Sequence, residues 1–173
     1  MIALALHELA NTFLAASEPE QAEPLFAEVV VLWRRLTMPA AEAVAWLNLA
    51  AAAIRCRRRE VARQRLVQVW QLAQSVDSRF IGLVLVHLCA GLAALTEEPE
   101  FAVRLCAAAA QQRVEIGMPP NTVSVEQARD FAHAREALGA AACAAAVQAG
   151  REMHYAQTLA EVGAWLESTA QRS

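Results

Sequence analysis

The chain contains no lysine. Its 15 basic side chains are all arginine, set against 18 acids for a net charge of −3. That balance argues against a general nucleic-acid binder, though a local patch remains open. Aromatic residues make up only 6% of the chain, so a core has to be assembled mainly from Ala, Leu and Val. Glycine and proline number six each in 173 residues, which removes the usual punctuation of strand-rich folds. Cys56, Cys89, Cys106 and Cys143 form no Cys-x-x-Cys pair. They read as small buried hydrophobes in a reducing cytoplasm. The longest uncharged run, residues 80–96, is too short for a bilayer span and contains His87 and Gly91, so it reads as a buried helix. Met1 leads straight into an amphipathic pattern without a basic leader or cleavage site. The expectation is a cytoplasmic chain with no membrane partner.

Signatures of catalysis are missing as well. There is no Gly-x-Ser-x-Gly, no His-Glu-x-x-His and no Gly-rich phosphate loop. Carboxylates fall mostly at helix starts, where capping and the helix dipole explain them. His7 and His87 hold equivalent positions two hairpins apart, on the order of 20 Å at ordinary helix-packing distances. That is too far to share a metal ion. The expectation is a non-enzymatic chain without cofactor or metal.

What the chain does have is alanine, 40 residues of it, and a repeat. Alanine gives up no side-chain entropy in a helix and lets helix axes approach closely. Shifted by 40, the sequence falls on itself: Ala22, Ala62 and Ala102; Ala10, Ala50 and Ala90; Leu9, Leu49 and Cys89; Phe26, Leu66 and Cys106. Met38-Pro39 recurs as Met118-Pro119, and Ser17-Glu18-Pro19-Glu20 is echoed by Glu97-Glu98-Pro99-Glu100. A fixed period in this range marks stacked supersecondary units.

Apolar positions at i, i+3, i+4 and i+7 predict helices over residues 2–16, 20–36, 40–57, 60–76, 79–96 and 101–116. Pro24 must lie in the first turn of the second or distort it. Gly117 reads as a left-handed C-cap. The repeat register is lost after it. Ser124-Val125-Glu126-Gln127 reads as a capping box opening a helix to about 138. Gly139 marks a break, and two further helices are expected over 140–149 and 155–168. The domain expectation is three hairpins over 1–117, capped by a helical region over 118–173 within the same domain. A start inside a helical pattern suggests a piece of a longer chain, or an end covered by another subunit.

Trp46, Leu49, Ala50, Ala53, Ala62 and Leu66 resemble the large, Leu, small and Ala positions of a tetratricopeptide repeat. Leu6, Leu9, Ala10, Phe13, Ala22 and Phe26 form the first copy, and Val86, Cys89, Ala90, Ala93, Ala102 and Cys106 the third. The period of 40 departs from that family's 34, so each helix is nearly a turn longer. The resemblance implies an all-α, right-handed TPR-like solenoid of three hairpins plus a C-terminal helical cap. Arg104-Leu105-Cys106-Ala107-Ala108-Ala109, Ile116-Gly117-Met118-Pro119, Leu138-Gly139 and Ala149-Gly150-Arg151 are similar to the C-terminal helical region of large bacterial ATP-binding transcriptional regulators of the LuxR and antibiotic-regulatory-protein types. This second resemblance covers about residues 80–164. It implies an interaction or sensing arm, without the phosphate-binding loop or the helix-turn-helix such regulators carry elsewhere.

If the stack resembles tetratricopeptide arrays, a second stripe on each first helix lines its concave groove: Leu4, His7, Asn11 and Leu14; Val44, Leu47, Ala51 and Ile54; Val84, His87 and Gly91; with Arg55 alongside. Such a groove suits a protein or peptide segment. A filling by the tail or a neighbouring copy, or a small effector molecule, stays open, as does a purely structural oligomerisation role. Residues 1–33 carry five acids and no arginine, whereas residues 34–65 carry eight arginines and two acids. Arg57, Arg58, Arg59, Arg63 and Arg65 form a basic patch at the tip of the second hairpin. It reads as a solvated loop, as a face for an acidic partner or phosphate, or as a weaker candidate for nucleic acid. The acidic first hairpin could meet this patch on another copy, a head-to-tail homo-oligomer.

Overall fold

The computed structural model describes residues 1–119 and 124–170. Residues 120–123 and 171–173 of the expected capping region lie outside the described residues. Among the described residues the chain is all-helical, with no strand. The helices are α1 (Ile2–Ala15), α2 (Pro19–Arg35), α3 (Pro39–Arg55), α4 (Arg59–Ala73), α5 (Arg79–Leu95), α6 (Pro99–Glu115), α7 (Val125–Glu152) and α8 (Tyr155–Ala170).

The helix starts from α2 to α6 fall at 19, 39, 59, 79 and 99. The structural step is therefore 20 residues, one helix and one turn, and the 40-residue repeat is two such steps. Pro19, Pro39 and Pro99 occupy the first turn, where proline's missing N–H costs nothing and its φ is already helical. Five turns end their helices in one way. Ser17, Thr37, Arg57, Glu97 and Gly117 all take positive φ, between 52° and 67°. The amide of the next residue reaches back to the fifth residue before it: Glu18 to the Phe13 carbonyl, Met38 to Trp33, Arg58 to Ala53, Glu98 to Ala93 and Met118 to Arg113. This is the Schellman closure, which satisfies carbonyls the helix end would otherwise leave bare. α4 is the exception. It stops two residues short of α3, and its C-cap Gln74 remains right-handed at φ −64°, ψ −25°. Ser78 Oγ then accepts from the Ile81 amide in the first turn of α5.

That irregular turn precedes the division of the chain into two compact units, Met1–Ile81 and Gly82–Ser173. The division falls inside the third expected hairpin, whereas the sequence register changes only after Gly117. In the first unit, α2 packs on α1 and α3, and α3 on α4. Ala10, Ala22, Phe26, Val29, Ala45, Leu49 and Ala52 share one apolar cluster, with Trp33 and Trp46 packed against it. The repeat positions hold in part. Ala10, Ala50 and Ala90, and Ala22, Ala62 and Ala102, are all fully buried. Leu9 departs from Leu49 and Cys89: it is 47% exposed, where they are 3% and 0%.

In the second unit, α7 lies along α6, and α8 also touches α6. Ser124 accepts from the Gln127 amide as the expected cap. The break at Gly139 is a kink (φ 73°, ψ 165°) inside one long stretch running to Glu152, so the expected 140–149 helix is the second arm of α7. Gly150 is seated on α6, where an added Cβ would stand 2.2 Å from the Arg104 carbonyl oxygen. Beyond it, buried Gln112 donates to the Met153 carbonyl at 3.0 Å and to Thr158 Oγ at 2.8 Å, which pins the α7–α8 joint to α6.

Candidate functional site

The stripe expected to line a groove is buried in part: five of its twelve residues are buried, and seven are half-buried or exposed. Leu47 and Ile54 are each 2% exposed, and Leu14, His87 and Gly91 are also buried. Leu4 is exposed, while His7, Asn11, Val44, Ala51, Arg55 and Val84 are half-buried. His7, Asn11 and Arg55 make internal bonds. Asn48 Nδ2 donates to Asn11 Oδ1 at 3.1 Å and lies 3.2 Å from His7 Nε2, tying α3 to α1. His7 also sets its ring edge-on to Phe26, at 5.5 Å between centroids. Arg55 donates to the Leu14 carbonyl. Sequence reasoning found His7 and Asn11 but missed Asn48, which is displaced by one residue from the stripe and becomes visible only once α1 and α3 are side by side.

The basic patch is likewise drawn inward. Glu23 on α2 pairs with both Arg58 and Arg65. Burial opposes ionisation of Glu23, but the hydrogen bonds and charges of the two arginines outweigh it and lower its pKa. Arg65 also donates to the Leu49 carbonyl at 2.6 Å, and Arg63 is buried. Arg57, Arg58 and Arg59 remain at the surface. One acid of the first hairpin, Glu23, thus meets two arginines of the second within one chain.

An open cleft of the first unit lies on α2, α3 and α4. A cleft of about 560 Å³ is lined by Ala27, Val30, Val31 and Arg34 on α2 and by Val61, Gln64, Arg65 and Gln68 on α4, over Trp46 and Leu49 on α3. Each flanking helix contributes positions i, i+3, i+4 and i+7, which fall on one helical face. The cleft therefore runs along both helices for about 10 Å, at 1.5 Å per residue. Its aromatic wall is held by buried Glu42. One oxygen of that carboxylate accepts from Arg34 Nε at 3.0 Å, from Arg34 Nη2 at 2.7 Å and from Trp46 Nε1 at 3.3 Å. Glu42 is the residue the sequence signalled without its being read: it stands four before Trp46 on α3, one helical turn away. None of the expected groove residues lines this cleft.

Among the described residues there is no group of three or more His, Cys, Asp or Glu able to hold a metal ion. No helix there is long and apolar enough to cross a membrane. Cys89 is buried, and Cys56, Cys106 and Cys143 are half-buried; all four are free thiols. Burial raises the pKa of Cys56 despite its hydrogen bond with Arg58, so this thiol stays protonated and is a poor nucleophile. Comparison with family models, curated proteins and solved structures finds no match. The class that the fold and its clefts define is an all-helical protein with a 20-residue helix-and-turn frame.

Proposed function

We propose that the chain is a non-catalytic helical-repeat interaction arm that holds a helical segment of a protein partner in the α2–α3–α4 cleft. In this reading the helix-and-turn frame stacks as a TPR-like right-handed solenoid with a helical cap. The resemblance to ATP-binding bacterial regulators supports reading it as an arm of a cytoplasmic regulatory protein, with no direct contact to nucleic acid or membrane proposed. One observation carries the reading: Ala27, Val30, Val31 and Arg34 face Val61, Gln64, Arg65 and Gln68 across an apolar floor containing Trp46. An elongated trough with matched helical spacing on both walls suits an amphipathic helix offering anchors at i, i+3 or i+4, and i+7. The volume also lies within the range of small-molecule sites, which is the specific support for an effector-sensing role.

Selection of displayed helical peptides against the chain tests it. Binders should carry apolar residues at those spacings. Ala27→Phe, at an exposed cleft position, should weaken them by about tenfold or more while changing stability by less than about 0.5 kcal/mol. Recovery of no patterned peptide, or binding indifferent to Ala27→Phe, would overturn the proposal. A small effector displaced by the same variant would move the site to the second reading.

A further inference from the structure

The second unit has a cleft of its own, about 290 Å³, between α6 and the two arms of α7. Val103, Cys106, Ala107, Ala110, Gln111 and Val114 of α6 form its floor, and Arg135, Val147 and Arg151 of α7 overhang it. Ala107, Ala110, Gln111 and Val114 stand 80 residues after Ala27, Val30, Val31 and Arg34. The same face of the repeat's second helix thus builds both clefts, and the covering helix decides their chemistry. In the first unit the arginines of the cleft are already engaged, Arg34 by Glu42 and Arg65 by Glu23. In the second, the kink at Gly139 directs Arg135 from one arm of α7 and Arg151 from the other into one small cleft. Neither guanidinium makes a hydrogen bond or ion pair among the described residues.

Two unengaged guanidiniums over an apolar floor define a ligand with one anionic end and a short hydrocarbon body. The planar fork of arginine matches a carboxylate in two-point fashion. The volume is that of roughly ten waters at 30 Å³ each, so the body is small. We infer that the α6–α7 cleft is a binding site for a small amphipathic carboxylate, with Arg135 and Arg151 on its charged end and Val103, Ala107, Ala110 and Val147 against its apolar end. Inorganic phosphate would satisfy the arginines but leave the floor bare, and a neutral alcohol would do the reverse. The site is independent of the α2–α3–α4 cleft and of any partner held there.

Calorimetric titration of the whole chain with hexanoate, 1-hexanol and inorganic phosphate tests it. Hexanoate should saturate, with each of the other two about tenfold weaker or more. Arg135→Gln and Arg151→Gln should each weaken hexanoate by about tenfold, with unchanged helical content by circular dichroism. Cys106 supplies a second measurement in the wild type, because bound hexanoate should slow its alkylation as mapped by mass spectrometry. The inference is overturned by no saturation up to about 10 mM, by hexanol or phosphate binding as well as hexanoate, or by Gln variants that bind normally. Alkylation of Cys106 indifferent to hexanoate would overturn it too.

Discussion

Two clefts in this protein share one wall and differ in the other. The wall is the second helix of a hairpin, presenting Ala27, Val30, Val31 and Arg34 in the first unit and Ala107, Ala110, Gln111 and Val114 in the second. Opposite it stands a helix of the same frame in the first case, α4, and a glycine-kinked helix outside the frame in the second, α7. Between α2 and α4, Arg34 is engaged by Glu42 and Arg65 by Glu23. Between α6 and α7 the charges remain available. A repeated surface therefore does not repeat a function; the element packed across it sets which groups reach solvent and which find partners.

The two histidines at equivalent repeat positions make the same contrast. His7 is half-buried, shares Asn48 with Asn11 and meets Phe26. His87 is buried beside Phe131, with rings 6.1 Å apart, and its Nε2 has no hydrogen-bond partner among the described residues. Burial lowers the pKa of His7 against the charge of Glu8. Burial, reinforced by the charge of Arg113, brings His87 down to about 4.

The largest effect that would sharpen the comparison is at the α6–α7 seam. Gly150→Ala should cost upwards of about 3 kcal/mol in urea denaturation, because its Cβ meets backbone that cannot yield without moving a helix. An unchanged midpoint would mean that α7 does not sit on α6 this closely. Next comes acid sensitivity. The unfolded chain takes a proton on His87 at its ordinary pKa of 6.5, and the folded chain only near 4. The contribution is thus intact above pH 6.5 and lost as pH falls towards 4, a total of roughly 3 kcal/mol. His87→Phe should flatten the melting temperature across that window, and His7→Phe should flatten it less. Equal effects would erase the distinction between the two units at this position. The smallest effect is at the turns. Thr37, β-branched at φ 52°, should gain about 1 kcal/mol on replacement by glycine, read as a raised melting temperature. A loss there would mean that the bond from Thr37 Oγ to the Leu36 carbonyl outweighs the backbone strain.

Much of the helical frame was legible. Prolines mark three helix starts, Ser124 caps α7, and the fully buried alanines follow the 40-residue register. The 20-residue spacing of the helix starts was already in the expected ranges, but the common turn closure was hidden, because a Schellman turn constrains φ rather than side-chain identity. Ser17, Thr37, Arg57 and Glu97 have nothing else in common, and only Gly117 displays the requirement openly. The candidate sites were less legible. Asn48, Glu42 and Glu23 acquire their roles from residues 8 to 42 positions away, across helix pairs.

The order of residues by itself set the helices, their lengths and the small-residue seams, since propensity, proline placement and period act over a few residues at a time. Only the packed structure decided that Leu47 and Ile54 would be buried, that Glu23 would pair with Arg58 and Arg65 within one chain, and that Arg135 and Arg151 would share a cleft. Those outcomes depend on which helix face is covered by which neighbour. Burial and charge pairing are properties of that covering, and no local pattern carries them.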